Sequence, residues 1–183
     1  MIASIWNRIA AIANLWTFAL FVLLFFGFNV FFFEPISKNY PRGGTLDINR
    51  YGFRAEEAPA VLRAFDNAGQ LDTYRKQEYG DLFFPIAYSL MCAVAITGLG
   101  KSLRVPHWLV LVPFMAAIGD YVENISILCM INHYSETQTV PRTLATIGSA
   151  GSRVKWGFLI ASLLIVLVLV ALRLLSIKPH AKQ

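Results

Sequence analysis

Asp120, Glu123 and Asn124 stand inside the stretch "AAIGDYVENISILCMI", residues 116 to 131, which is otherwise apolar enough to lie in lipid. At spacings i, i+3 and i+4 the three share one helix face. An acidic side chain at the centre of a membrane helix costs roughly 2.5 to 3.5 kcal/mol, so two of them demand a partner, a proton or water. Two carboxylates held close and dry do not both ionise freely. Such a pair serves as general acid and base, as a proton relay or as a cation site, and the sequence does not choose among these.

The elements that must position these groups follow from composition. Of 183 residues, 56% are hydrophobic and 15% charged, outside the usual range for a soluble domain. Four segments meet the requirement of about 20 mostly apolar residues for crossing a bilayer core: roughly 14–33, 82–99, 108–131 and 154–175. The first follows Arg8 and so resembles a secretory signal, but "LWTFALFVLLFFGFNVFFF" is too long and ends in Phe and Glu rather than at a small-residue cleavage site. It reads as a retained span. The expected fold is an all-α integral membrane protein, a four-transmembrane-helix bundle forming a single membrane domain.

Four spans put both termini and the 100–107 loop on one side, here side A, which carries Arg8, Lys101, Arg104, Arg173, Lys178 and Lys182 with no Asp or Glu. Side B carries the longer connections 34–81 and 132–153. Its raw count of Lys and Arg is higher because its loops are longer, but density near the span ends favours side A as cytoplasmic. The net charge of +5 reflects this topology. No basic patch interleaved with aromatic residues points to nucleic acid.

The 34–81 connection holds regular signals. After "YPRGGT", Glu56 and Glu57 form an acidic first turn, Pro59 is tolerated early and Gly69 is a stop. Val61, Leu62 and Phe65 fall on one face. The pattern predicts a short amphipathic helix, roughly 55–67, against the side-B membrane surface or capping the bundle. A second helical stretch from Leu71 runs on toward the second span, with a bend at Pro85.

Depth supplies partners for the acids. Glu123 lies closer to side B than Asp120, which is about halfway along the third span. Lys155, about a turn inside the fourth, reaches inward on its long stem to pair with Glu123. Asp81 enters at the side-B end of the second span, Tyr88 lies two turns deeper, and Asn29 is near the side-B end of the first. The polar groups cluster in the side-B halves, which suggests a polar cavity opening to that side. The competing reading is a closed hydrogen-bonded network that only fixes helix packing.

A metal site would recruit His133 or Asp81, but His133 is ten residues beyond Glu123, too far along a straight helix for one ion to touch both. His107 and His180 read as solvated. Cys92 and Cys129 fall in spans without metal spacing. Ser89, Ala93 and Thr97 form a small-residue stripe for close packing. Trp6, Trp16, Trp108 and Trp156 read as interface anchors, as do the aromatics of "FFGFNVFFF". "TLATIGSAGSR" reads as a turn or hinge before the fourth span. No phosphate loop, nucleophile elbow, HExxH or thiol motif appears, nor an inverted repeat.

The combination "LDINRYGFRAEEAPAVLRAFDNAGQLDTY", "DLFFPIAYSL", "DYVENI" and "VKWGF" resembles a type of small four-span protein common in bacteria, to which no established activity attaches. By architecture, without a motif match, the bundle is also similar to the sterol-isomerase and sigma-2-receptor group, whose acids line a lipid-like ligand pocket. The expected setting is the bacterial inner membrane, with both termini cytoplasmic. The expected role is ligand binding or proton exchange at Asp120, Glu123, Asn124, Lys155, Asp81, Tyr88 and Asn29, without metal or cofactor. Expected partners are membrane lipid and a small amphipathic or cationic ligand, with no nucleic acid; monomer and homo-oligomer stay open. An enzyme acting on a lipid or isoprenoid, and a structural or assembly subunit, are the alternatives.

Overall fold

The computed structural model describes residues 1–38, 40–41, 43–48 and 52–176; Lys178, His180 and Lys182 lie outside them, as do parts of the "YPRGGT" and "LDINRYG" segments. The described residues contain four helices long and apolar enough to cross a membrane. An additional short helix, α1 (Ile2–Ile12), precedes the first span, Leu15–Ser37, which comprises α2 (Leu15–Gly27), a π-helical stretch Phe28–Phe33 and α3 (Glu34–Ser37). Then come α4 (Ala58–Asn67) and the second span, Leu71–Gly100, split into α5 (Leu71–Asp81) and α6 (Phe84–Gly100). The third span is a 3-10 turn, His107–Leu111, leading into α7 (Val112–Thr137), and the fourth is α8 (Arg142–Ser176).

Local chemistry accounts for the boundaries. Asn14 caps α2 by accepting the Thr17 N–H at 3.0 Å. Pro85 sits in the first turn of α6, where its missing N–H is harmless, and the chain breaks at residues 82–83 just before it. Gly69, at φ +64°, ends α4. The Gln70 N–H returns to Phe65 O at 2.8 Å and the Gly69 N–H to Asp66 O at 2.9 Å, the pair of bonds a left-handed glycine makes available.

Helix α4 caps the bundle on side B. Leu62 and Phe65 bury against Leu71 and Tyr74 of α5 and against Ile127, Met130 and Ile131 of α7. Its acidic flank is also used: Glu57 accepts the Arg54 N–H at 3.0 Å, and Glu56 pairs with Arg142 at the start of α8, 3.2 Å away.

The fourth span corrects the sequence reading. "TLATIGSAGSR" is neither turn nor hinge: α8 is helical from Arg142 onward, 35 residues in all, and the α7–α8 connection shrinks from 132–153 to 138–141. The small residues serve helix contact instead. A methyl on Gly151 would sit 2.7 Å from the Glu123 backbone N and 2.8 Å from Gly119 O, and one on Gly119 would sit 2.5 Å from the Lys155 backbone N. The two backbones touch there, as small residues allow between membrane helices. Gly148 similarly faces Ser126 and Phe53.

Length sets the depth of this contact. Residues 156–172 carry no charge and rise about 26 Å, close to a hydrocarbon core of about 30 Å. Lys155 therefore marks the side-B edge of the apolar zone. Asp120, expected about halfway along its span, and Glu123, expected closer to side B, both meet Lys155 toward that edge, and α8 extends about 20 Å beyond it.

The first span has no fully buried residue. It leans on α6 through rings: Phe25, Phe28 and Phe33 surround Phe84 at centroid distances of 5.1, 6.1 and 5.2 Å. Phe31, by contrast, is 83% exposed. Trp6 differs from the interface anchor expected of it. It is buried against the second and third spans and stacks on His107 at 4.9 Å, fastening α1 to the bundle. Trp16 and Trp108 are exposed. Ser89 and Thr97 spend their hydroxyls on their own helix, on Ile86 O and Ala93 O, which suits a packing stripe.

Gly151→Ala is expected to destabilise the protein by roughly 1–3 kcal/mol, because the clash is with backbone. Gly157→Ala, with nothing within 4 Å, should be neutral or stabilise by roughly 0.5–1 kcal/mol. Thermal unfolding in detergent compares the two.

Candidate functional site

The glycine contact aligns α7 and α8 so that Lys155 points at the α7 acids. Its ammonium lies 2.8 Å from Asp120 Oδ1 and 2.9 Å from Glu123 Oε2. Asp120 and Glu123 are wholly buried, and the lysine side chain is 9% exposed. The expected Glu123–Lys155 pair is thus one arm of a triad. Tyr88 of α6 donates its hydroxyl to Asp120 Oδ2 at 3.0 Å, and Ser152, one turn before Lys155, hydrogen-bonds the Glu123 carboxylate. Three spans meet at Asp120 and its partners.

Asn124 turns to the second span, where its Nδ2 donates to the Asp81 carbonyl at 3.4 Å, joining α7 to the end of α5. Its Oδ1 is buried without a partner. Asp81 itself is buried. Asn29 is different: its amide donates to Phe25 O at 2.8 Å within its own helix, so its bond is local to the first span and does not go to the acids. The ring series from that span does reach the site, ending in Phe84 against Tyr88 at 5.6 Å.

One central residue was missed in the sequence. Glu78 is 0% exposed, and neither carboxylate oxygen has a partner. It lies within electrostatic reach of Asp47, Asp81, Glu123 and Lys155. The segment before α4 runs along the same helix: Tyr40 donates to Gln77 Oε1 at 2.6 Å, and the Leu46 N–H donates to the Tyr74 hydroxyl at 3.1 Å. That brings Thr45 and Asp47, whose Oγ1 and Oδ1 are buried and unpartnered, into the neighbourhood. Burial, then the Glu78 and Asp47 carboxylates, hold the Tyr40 phenol well above its ordinary pKa, so it remains a donor. A signal was present: Tyr74, Glu78 and Asp81 follow Leu71 at i+3, i+7 and i+10, a helical stripe hidden in a polar run.

Among the described residues Lys155 is the one buried cation, against four buried carboxyl groups: Glu78, Asp81, Asp120 and Glu123. Two clefts of about 330 Å³ each lie elsewhere. One lies between Asn14, Phe18, Val94 and Gly98, the other between Arg54, Arg142, Ser149 and Arg153, and neither is lined by Asp120 or Glu123. His133 is near Thr139, its Nε2 3.3 Å from that hydroxyl, and among the described residues no three His, Cys, Asp or Glu side chains are grouped to hold a metal. The chain matches no family model, no curated protein and no solved structure.

Chemically the site has two halves. Asp120, Glu123 and Lys155 form a triad in which each carboxylate is met by the shared ammonium, while Glu123 Oε1 has no hydrogen-bond partner among the described residues. Glu78, Asn124 and the 45–47 segment hold buried oxygens with no hydrogen-bond partner among the described residues. Lys155→Met is expected to cost about 3–5 kcal/mol by stranding two buried carboxylates. Adding Asp120→Asn and Glu123→Gln to it should recover most of that loss, as read from melting curves in detergent.

Proposed function

We propose that this multi-pass membrane protein takes up positive charge at its buried acidic cluster, binding the cationic group of a small amphipathic ligand in exchange for protons. The observation that carries the reading is Glu78, sealed from water with both carboxylate oxygens unpartnered. A buried carboxylate in that state is strongly disfavoured unless a proton or a cation accompanies it. Lys155 is already committed to Asp120 and Glu123. Asp81 and the Asn124 carbonyl oxygen complete the receiving side, and Tyr88 with the phenylalanines beside it offers faces for the apolar part of such a ligand.

The triad is assigned a different role. Because its ion pairs join α7 to α8 and Tyr88 ties α6 to Asp120, it holds the helices in register, and its removal would alter stability first. The basic residues of side A, Arg8, Lys101, Arg104 and Arg173 without an acid among them, support cytoplasmic termini, with the acidic half opening toward the outer side of a bacterial inner membrane.

The test uses a medium-chain alkyltrimethylammonium and a neutral alkyl glycoside of matched length as probes. The cation should raise the melting temperature and release protons on binding, measured by calorimetry in buffers of different ionisation enthalpy, while the neutral probe does neither. Glu78→Gln should abolish the proton release and leave the protein as stable as wild type or more so. Equal responses to both probes, or an unchanged proton count in Glu78→Gln, would leave the acids as packing groups only.

A further inference from the structure

We infer a second, anionic-ligand site on side B: a cleft that takes the phosphate of an anionic phospholipid between Arg54, Arg142 and Arg153. The cleft has a volume of about 330 Å³, and Phe53, Glu56 and Ser149 also line it. It is separate from the acidic cluster and independent of the reading above.

Three observations carry the assignment. The first is charge. Among the described residues, three guanidinium groups line the cleft against one carboxylate, Glu56, which lies 3.2 Å from Arg142 and 4.0 Å from Arg54. Guanidinium groups present paired N–H donors that match phosphate oxygens. The second is an unused hydroxyl. Ser149 is 4% exposed and its Oγ has no partner, so the cleft holds a buried polar group that an oxygen ligand would satisfy.

The third is depth. Arg142, Thr146, Ser149, Ala150 and Arg153 follow one face of α8, at i, i+4, i+7, i+8 and i+11. Arg153 stands two residues before Lys155, where the uncharged stretch 156–172 begins. The lower end of the cleft is therefore level with the edge of the hydrocarbon, where lipid phosphates lie, and its upper end rises about 16 Å from there. A free phosphate ion would match the charge but has no use for this position. A phospholipid would place its phosphate among the arginines and its chains along the exposed apolar surface of α8, which includes Val154, Ile160 and Leu164.

The experiment measures the melting temperature of the full chain in a neutral detergent, titrated with short-chain phosphatidylglycerol, short-chain phosphatidylcholine or inorganic phosphate. Phosphatidylglycerol is expected to stabilise at concentrations where the other two do not. Arg142→Gln with Arg153→Gln should weaken that response roughly 30-fold. Both side chains are exposed, so the variant should fold. Glu56→Gln should strengthen it about fivefold, since it removes the one carboxylate from the cleft; a purely structural Glu56 would give the opposite sign. An equal response to inorganic phosphate would overturn the lipid assignment. A response shared by phosphatidylcholine, or unchanged in the arginine variant, would overturn the site.

Discussion

Contact between the backbones of α7 and α8 at Gly119 and Gly151 is the constraint on which the remaining geometry rests. A side chain at either position would hold the helices apart by clashing with main-chain atoms rather than with a movable side chain. Lys155 would then lose its reach to two carboxylates at once. The same approach seats Ser152 on Glu123. What resembles a flexible Gly-Ser segment is thus a close backbone contact between two helices, and the electrostatics of the site follow from the absence of two methyl groups.

The buried charges divide according to what they touch. Asp120 and Glu123 share one ammonium, and Tyr88 draws α6 onto the same group, so this half resembles the polar fasteners that specify how helices pack. Glu78 and Asp81 belong to α5, the first part of the second span, which the break at residues 82–83 separates from α6. That helix packs against both α4 and α7, and Tyr40 and Leu46 bond to its Gln77 and Tyr74. The ion-paired half thus lies on α7 and α8, and the half without a cation of its own lies on α5.

Much of this was legible in the sequence. The four spans follow from apolar run length, the cap helix from the spacing of Leu62 and Phe65, and its end from Gly69. The pairing of Glu123 with Lys155 follows from depth alone. The acceptance of Asp120 by the same lysine was not visible, because it depends on how closely α7 and α8 approach. That approach was obscured by reading Gly148 and Gly151 as loop residues, since glycine signals both turns and helix contacts and only the partner helix decides between them. Glu78 was hidden for another reason. It lies in "TYRKQEYGD", whose polarity suggests a solvated helix, and its burial is imposed by the long-range fold of Tyr40 and Leu46 onto α5. Asn29 was assigned to the site from depth, but its side chain bonds to its own helix, a local preference that depth does not register.

The four-residue connection at 138–141 bears on how the chain enters a membrane. Taken alone, the third span carries two buried carboxylates, and the mean hydropathy of its most apolar stretch, 1.4, is the lowest of the four. The fourth, at 3.0, carries the lysine that pairs with both. With so short a link, the fourth span follows the third closely, and the Gly119–Gly151 contact lets the two combine as a hairpin whose ion pairs form before either helix is fully surrounded by lipid. Insertion of this protein is therefore a property of a pair of helices, and the hydrophobicity of the last span supports the third as well as itself.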